Sequence, residues 1–262
     1  MVHRTTLALL VAGSVLGLLP GRAVAGSDLR LVPFAPFGTI PAETYDEHTG
    51  RRLGDADVGL TELPNGNLLL VGFGAIDGEA LIQVASELER TEDGAALRPV
   101  WEESRSWRKG GVSQGRMWID HHAGFAVCTP AEDSDEKVVR VELPAHERVA
   151  NVPMNLLLEP LATGEQREID FQFLACRAAR VVDATARVAH PDAASPGPIE
   201  VRSELDLGWL TPLARGFLPH FSFWFDPTRA GAWVAHRMPI FTGGPEVLIV
   251  RHGVPLRPFL TP

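Results

Sequence analysis

The sequence predicts a mainly β protein, in which a single large antiparallel sheet curls on itself or forms an incomplete β-barrel, with one or two short helices. Two observations carry this prediction. Apolar and polar residues alternate with a period of two over several segments, and turn motifs separate these segments at short spacing. Successive side chains of a strand point to opposite faces, so each segment is typical of a strand with one buried face. Strands joined by short turns form antiparallel hairpins, and many hairpins in succession make a sheet that closes or curls.

The strands and the turns can be assigned separately. The apolar members of the three clearest strands are Ile169, Phe171 and Phe173; Val139, Val141 and Leu143; and Phe221, Phe223 and Phe225. The intervening turns read HTGR at 48–51, PNGN at 64–67, EDGA at 92–95 and DPTRAG at 226–231. Glycine, asparagine, aspartate and proline favour turns because they adopt or stabilise the backbone angles that a turn requires.

Two segments depart from the period of two. The segment 152–164 (VPMNLLLEPLATG) has its apolar residues in helical clusters, begins at a proline and ends at Gly164, which predicts a helix. A second short helix, broken by Pro212, is predicted at 207–217. The segment 191–198 (PDAASPGP) is predicted to be a loop.

The first 25 residues are predicted to be a secretory signal peptide. A basic start is followed by an apolar run at 7–20, which leads to the small-residue sequence Ala23-Val24-Ala25. The alternative is a membrane anchor, but the run is shorter than the ~20 residues that a membrane span needs. Residues 26–262 are then a single β-rich domain, exported to the periplasm or secreted.

The charge balance restricts the partners. The formal net charge is −9 at pH 7, so the chain lacks the basic footprint of proteins that bind nucleic acid or an anionic membrane surface. No phosphate-binding loop, dinucleotide fingerprint or CxxC pair occurs in the sequence. We therefore expect no cofactor.

The two cysteines, Cys128 and Cys176, are candidates for a disulfide. An even number of cysteines in an exported chain is typical of a bonded pair. Each cysteine also lies in an apolar run, so two buried free thiols remain the alternative.

The motif GVSQG at 111–115 matches the G-x-S-x-G nucleophile elbow of α/β-hydrolases. That elbow requires a strand before the serine and a helix after it. The residues that follow Ser113 alternate as a second strand, so the glycines are predicted to form a hairpin turn. No catalytic residue is expected here.

Histidines and carboxylates suggest two further candidates, both weaker. Asp120 and His122 share a strand face but supply only two ligands of the three or more that a metal site needs. His220 and His236 lie near the ends of neighbouring predicted strands. We expect structural or exposed roles for all four residues and no metal site.

Aromatic residues are the candidates for lining a ligand cavity. On 101–107, tryptophans and charged residues share one strand face, and the same holds for 116–120 across the predicted hairpin. Such a wall of indoles is typical either of a cavity lining or rim, or of a solvated outer face with cross-strand ion pairs. The candidate lining residues are Trp101, Trp107, Trp118, Phe171, Phe173, Phe221 and Phe223.

Two segments carry a resemblance to known proteins. The aromatic strand, Asp-Pro turn, proline-terminated strand and final strand of 221–250 (FSFWFDPTRAGAWVAHRMPIFTGGPEVLIV), with the opening hairpin of 45–60 (YDEHTGRRLGDADVGL), resemble exported bacterial proteins of unknown function. Those proteins are in turn similar to the periplasmic lipoprotein carriers. The resemblance implies an incomplete antiparallel barrel plugged by helices, with acyl chains in its concavity. The segment 152–164 would then be the plug, and the apolar faces of 169–173 and 221–225 would line the cavity.

Three functions are compatible with these features. The first is an exported, non-catalytic binding protein with an apolar cavity for a lipid or another hydrophobic ligand. The second is a structural or assembly protein of the cell envelope that acts through a protein partner. The third is a hydrolase that uses histidine and carboxylates around Asp120 and His122.

Overall fold

The computed structural model describes residues 31, 35–190, 197–206, 221–226, 228, 232–240 and 244–260. Fourteen strands and two short helices, α1 (Met154–Leu157) and α2 (Glu159–Ala162), lie in these ranges. The strands are β1 (Gly38–Tyr45), β2 (Arg52–Glu62), β3 (Leu68–Ile76), β4 (Ala80–Arg90), β5 (Leu97–Arg108), β6 (Val112–Asp120), β7 (Phe125–Thr129), β8 (Val139–Glu142), β9 (Glu168–Ala175), β10 (Arg180–Val188), β11 (Ile199–Asp206), β12 (Phe221–Asp226), β13 (Ala232–Pro239) and β14 (Glu246–Arg251).

All fourteen strands belong to one antiparallel sheet. Its order is β8-β7-β6-β5-β4-β3-β2-β1-β14-β13-β12-β11-β10-β9, so two meanders, β1–β8 and β9–β14, are joined where β1 pairs with β14. The two edge strands, β8 and β9, are consecutive in the chain and no ladder joins them. The predicted fold class, a large curled antiparallel sheet with short helices, is confirmed, and the sheet is not closed.

The period of two in the sequence corresponds to an inner and an outer face. On β10, Val182, Ala184 and Ala186 are buried while Asp183 and Arg187 are exposed. The inner faces of most strands meet in one large apolar cluster, which also contains Met154, Leu156, Leu157, Leu158 and Leu161 of the helical segment. Residues from the helical segment therefore fill part of the concavity of the sheet.

The helical segment predicted at 152–164 is confirmed as two consecutive short helices. Pro153 precedes α1, and Gly164, at a φ of +77°, follows α2. A positive φ ends a helix and favours glycine, which carries no Cβ. The helix predicted at 207–217, most of the loop predicted at 191–198 and the signal peptide predicted at 1–25 lie outside the described residues.

The two ends of the sheet, β6–β8 and β9, meet along a line of contacts that we call the seam. Cys128 on β7 forms a disulfide with Cys176, directly after β9, with their Cα atoms 5.4 Å apart. The disulfide predicted from the cysteine count is therefore confirmed. Leu174 of β9 belongs to the same apolar cluster as Met117, Ile119, Ala126 and Val141 on β6–β8. The inner face of β6–β8 thus packs against the outer face of β9, which carries Leu174, whereas Phe171 and Phe173 lie on the inner face of β9.

The chain between β8 and β9 lies along this seam. Val149 forms a single parallel bridge with Gln172, and the side chain of Asn151 bonds both the N–H and the carbonyl of Leu174. Within the described ranges, no helix has the length and apolar character needed to cross a membrane.

Candidate ligand site in the concavity of the sheet

Four of the predicted lining residues lie on the inner face of the sheet. Phe171 and Phe223 are buried in the main core, and Phe173 and Phe221 pack against it while remaining half-buried. The rings of Phe173 and Phe221 are in contact, with their centroids 5.3 Å apart. Because β9 and β12 are separated by β10 and β11 in the sheet, this contact reaches across the concavity.

The inner aromatic residues become less buried toward the end of β9 and toward the start of β12. On β9, Phe171 is 1% exposed and Phe173 is half-buried. On β12, Phe225 is 0% exposed, Phe223 is 6% exposed and Phe221 is half-buried. Phe173 and Phe221, which are in contact, are thus the least buried of these inner aromatic residues.

A second aromatic group lies deeper on the same face. The ring of His236 lies between Phe223 and Trp233, with centroid distances of 5.5 Å and 5.4 Å. Burial lowers the pKa of His236 to about 4, because an apolar surrounding disfavours the charged imidazolium. His236 is therefore neutral at physiological pH, and it is half-buried rather than sealed from solvent.

Several buried polar atoms of the inner face have no hydrogen-bond partner within the described ranges. They are Thr44 Oγ1, Ser203 Oγ and Trp233 Nε1. Each belongs to a residue that is at least nine-tenths buried. No sequence pattern indicates this set, because each of these residues becomes part of the inner wall only through its register in the sheet.

Glu159 of α2 is a further buried polar group. Its Oε2 makes no hydrogen bond to the part of the chain that the structure describes, and the residue is 9% exposed. Burial, with a contribution from the charge of Glu165, raises the pKa of Glu159 to about 7. The helical segment thus brings an acid close to its titration midpoint into the packed part of the concavity.

The three predicted tryptophans lie on the opposite, outer face. Trp101 and Trp118 stack, with ring centroids 5.1 Å apart and ring planes 16° apart, and Trp101 Nε1 donates to Glu87 at 2.8 Å. Trp107 is half-buried on the same face, opposite Leu81. This arrangement corresponds to the solvated outer face that the sequence left open as one of two possibilities.

Charged residues and a shallow pocket adjoin these indoles. Glu103 accepts from both Arg105 and Arg116, as expected for cross-strand ion pairs on an exposed face. Beside them is an open pocket of about 550 Å³, lined by Asp57, Val71, Gly72, Phe73, Gln83, Val84, Ala85, Glu103 and Arg105. The pocket is separate from the Phe173–Phe221 contact on the inner face.

The catalytic and metal candidates are not brought together. Ser113 lies on β6, directly after the turn Lys109–Gly111, in which Gly110 and Gly111 both have positive φ. The predicted hairpin is therefore confirmed at this motif. Asp120 accepts from the Ala123 N–H, and His122 pairs with Glu89. No cluster of three or more metal-ligating residues occurs in the described part of the chain, and His220 lies outside that part.

A buried pair that the sequence did not reveal fastens the seam. Glu102 is 0% exposed; its Oε1 lies 2.9 Å from His121 Nε2, and its Oε2 accepts from the backbone N–H groups of Asn151 and Val152 at 2.8 and 2.6 Å. His121 Nδ1 lies 3.0 Å from the carbonyl of His146. A carbonyl can only accept, so Nδ1 carries a proton.

The protonation state of the pair follows from these bonds. Two backbone N–H groups donate to Oε2 of Glu102, and an imidazolium at His121 would donate from Nε2 to Oε1 and from Nδ1 to the carbonyl of His146. Burial alone would lower the pKa of His121, but the hydrogen bond and charge of Glu102, with the His146 carbonyl and Asp120, outweigh it and raise that pKa. The pair is thus a buried salt bridge within the β5–β6 hairpin, and its further hydrogen bonds to Asn151, Val152 and His146 join that hairpin to the chain that follows β8.

Comparisons with known proteins give one structural relative to report. No protein-family model matches the chain, and no curated protein matches it. A similar solved structure is the crystal structure of a β-barrel-like protein of the domain of unknown function DUF1849 from Brucella abortus. The identity is 15%, the TM-score is 0.44, and the match covers 85% of this chain and 96% of that chain. The resemblance to periplasmic lipoprotein carriers stays a prediction.

Proposed function

We propose that this protein is an exported binding protein, periplasmic or secreted, that holds a lipid or another hydrophobic ligand in the concavity of its open barrel. The observation that carries the proposal is the contact between Phe173 and Phe221, two inward-facing aromatic residues that remain half-buried. Large apolar side chains on the concave side of a sheet gain free energy when a ligand covers them, at about 25 cal/mol per Å². The mouths of barrels are common ligand sites for this reason.

The surrounding structure supports this assignment. The helical segment fills the concavity beside Phe171, where no exposed aromatic surface remains. A ligand that entered beside Phe173 and Phe221 would have the rings of Phe223 and His236 further along its path. The lining is rigid sheet rather than loop, so it needs little reorganisation on binding.

The first test is the intact mass of the protein purified gently from its native compartment. We expect a mass that begins at Gly26 and, under native conditions, an additional mass that is lost on denaturation. Organic extraction would then identify the ligand. A chain that retains residues 1–25 would contradict export, and a bare mass would contradict tight retention of a ligand.

A second test uses variants and an apolar fluorescent probe. The double variant Phe173→Ser/Phe221→Ser removes both rings at the mouth, and we expect its affinity for the probe to fall by about tenfold or more. Phe73→Ser is the matched control, because Phe73 is also half-buried but lies on the outer face, at the pocket beside the indoles. Equal loss of affinity in the two variants would place the probe elsewhere.

One observation favours the alternative role in envelope assembly. Val138 and Val139, at the start of the edge strand β8, are 61% and 37% exposed. An exposed apolar sheet edge is a surface to which another chain can add a strand. Capture of a defined envelope protein that is lost in Val138→Lys/Val139→Lys, without any retained ligand, would support this role over ligand binding.

A further inference from the structure

The inner wall carries a buried polar group beside its aromatic rings. Trp233 is 6% exposed, and its indole N–H has no acceptor among the described residues. The ring of the half-buried His236 lies 5.4 Å from that of Trp233. A neutral imidazole offers one donor and one acceptor. Two neighbouring rings of the inner wall therefore carry hydrogen-bonding nitrogens, one a donor and the other a donor and an acceptor.

Such groups require a partner. A buried donor without an acceptor costs about 1–3 kcal/mol, and an unsatisfied group in a native protein calls for an ordered water, an ion or a ligand. Because His236 is half-buried, a partner can reach it from the concavity. A hydrogen-bonding atom of the ligand meets this requirement directly.

The charge of the surroundings limits the chemistry of that partner. In register with one another across five neighbouring strands lie Thr44, Ile249, His236, Phe223 and Val201. None of these side chains carries a charge at neutral pH, and His236 stays neutral because burial lowers its pKa to about 4. A carboxylate or phosphate placed against these five side chains would lose its hydration without gaining a counter-charge from any of them. A cation could not accept the Trp233 hydrogen.

We propose that the ligand is an uncharged amphipathic molecule, and that its carbonyl or hydroxyl oxygen accepts a hydrogen bond from the indole N–H of Trp233 beside His236. This inference rests on the proposed function, since it describes the polar group of a ligand held in the same concavity. The hydrocarbon part lies against Phe223 and extends toward the contact between Phe173 and Phe221. Neutral esters and acylglycerols have this chemistry, whereas free fatty acids and phospholipid headgroups do not.

The test is a comparison of probes that share one hydrocarbon chain and differ in charge. Methyl palmitate and monopalmitoylglycerol are neutral, palmitate is an anion and hexadecyltrimethylammonium is a cation; hexadecane has no polar group. Each competes at neutral pH for the full mature protein against a fluorescent apolar probe. We expect the two neutral oxygen-bearing probes to bind about tenfold or more tightly than the charged probes.

Variants assign the preference to the indole. Trp233→Phe should lower the affinity for methyl palmitate by about fivefold, which is the effect of one lost hydrogen bond. The affinity for hexadecane should not change, so the ratio of the two affinities should fall by the same factor. Trp224→Phe is the control: Trp224 is also 6% exposed, but it packs on the outer face against Phe259. His236→Phe keeps an aromatic ring and removes the hydrogen-bonding atoms, and so tests the site if Trp233→Phe does not fold.

The outcomes separate this inference from the proposed function. If charged and neutral probes bind alike, or if Trp233→Phe and His236→Phe leave the preference for methyl palmitate over hexadecane unchanged, the inference is overturned while ligand binding stands. If none of the probes binds, the proposed function fails and the inference fails with it. Selective loss in the Trp233 and His236 variants, absent from Trp224→Phe, supports both.

Discussion

Removal of the Glu102 carboxylate tests how the open sheet is held together. Glu102→Ala would leave His121 buried without its counter-charge, so that burial lowers its pKa, and would leave the N–H groups of Asn151 and Val152 without their acceptor. Breaking a buried pair from one side costs about 3–5 kcal/mol, since the groups that remain lose their partners and stay desolvated. With a urea m-value of about 3 kcal/mol per M, the unfolding midpoint should fall by roughly 1 M or more.

Glu102→Gln separates the charge from the hydrogen bonds. The glutamine oxygen can accept both N–H groups, and its NH₂ can donate to Nε2 of a neutral His121, so this variant should lose less stability than Glu102→Ala at alkaline pH. In the native protein the pKa of His121 is raised. The stability that His121 contributes is therefore fully present below its unfolded pKa of about 6.5 and is lost as the pH rises through the folded pKa.

The free energies of unfolding of the native protein and of Glu102→Gln should thus diverge as the pH falls. In Glu102→Gln an NH₂ faces Nε2, which disfavours the imidazolium, so this variant loses stability where the native pair is strongest. We expect the gap in the free energy of unfolding to widen by on the order of 1–3 kcal/mol between about pH 8.5 and about pH 5.5. Urea titrations followed by tryptophan fluorescence measure the gap at both pH values.

Glu103→Gln is the matched control, one residue away on the outer face. Its partners Arg105 and Arg116 are about half exposed, and exposed ion pairs contribute about 0–1 kcal/mol. Comparable losses in Glu102→Ala and Glu103→Gln, or a gap for Glu102→Gln that does not change with pH, would refute the assignment of a buried salt bridge at the seam.

The structure also predicts how loss of the disulfide and loss of the Glu159 carboxyl group change the stability of the protein. Cys128→Ser/Cys176→Ser removes a disulfide that spans 48 residues, which in the chain-entropy model contributes about 4 kcal/mol to the free energy of unfolding. The urea midpoint should fall by a matching amount, and thiol reduction of the native chain should produce the same fall. An unchanged midpoint would contradict a stabilising disulfide. Burial raises the pKa of Glu159 from 4.5 to about 7, so native stability should decline as the pH rises from about 4.5 to about 7. Glu159→Gln should match the native chain near pH 4 and exceed it by about 1–3 kcal/mol near pH 8; parallel stability–pH curves would exclude that role for Glu159.

The elements that local sequence determines were predictable. The alternation around Phe171 and Phe223, the turn at Gly110 and Gly111 and the helical segment at 152–164 all follow from residues close together in the chain. The disulfide was one of the two alternatives that the cysteine count left open, and the structure decides between them. Strand order did not follow, because the pairing of β1 with β14 joins the two ends of the chain, and no local pattern specifies such a pairing.

The orientation of β5 shows why the tryptophans could not be assigned from the sequence. One face of this strand carries Trp101 and Glu103, and the other carries Glu102, so both faces contain charge and the period of two cannot identify the inner one. The inner face is set by the N–H groups of Asn151 and Val152, about fifty residues away, which bond Glu102. A buried carboxylate with distant backbone partners leaves no mark on the alternation pattern.

The Trp233–His236 site was hidden by a bulge. Residues three apart in a regular strand point to opposite faces, and the spacing of Trp233 and His236 therefore predicts that they do not share a face. The register between β12 and β13 shifts at Phe225, so that Trp224 pairs with Ala235 and Phe225 with Trp233. The extra residue, Val234, returns Trp233 to the inner face beside His236.

The contacts between the two ends of the sheet also determine the width of the concavity. In a closed barrel, strand number and shear fix the radius through continuous hydrogen bonding. Here the two ends of the sheet overlap and are joined by a disulfide, by the bridge at Val149 and by the hydrogen bonds of Glu102 and His121 to the chain that follows β8. Side-chain contacts, rather than a ladder, thus set the width of the concavity. If the proposed ligand occupies that concavity, its affinity should depend on Glu102 and the disulfide, although neither lies on the inner wall beside Phe221.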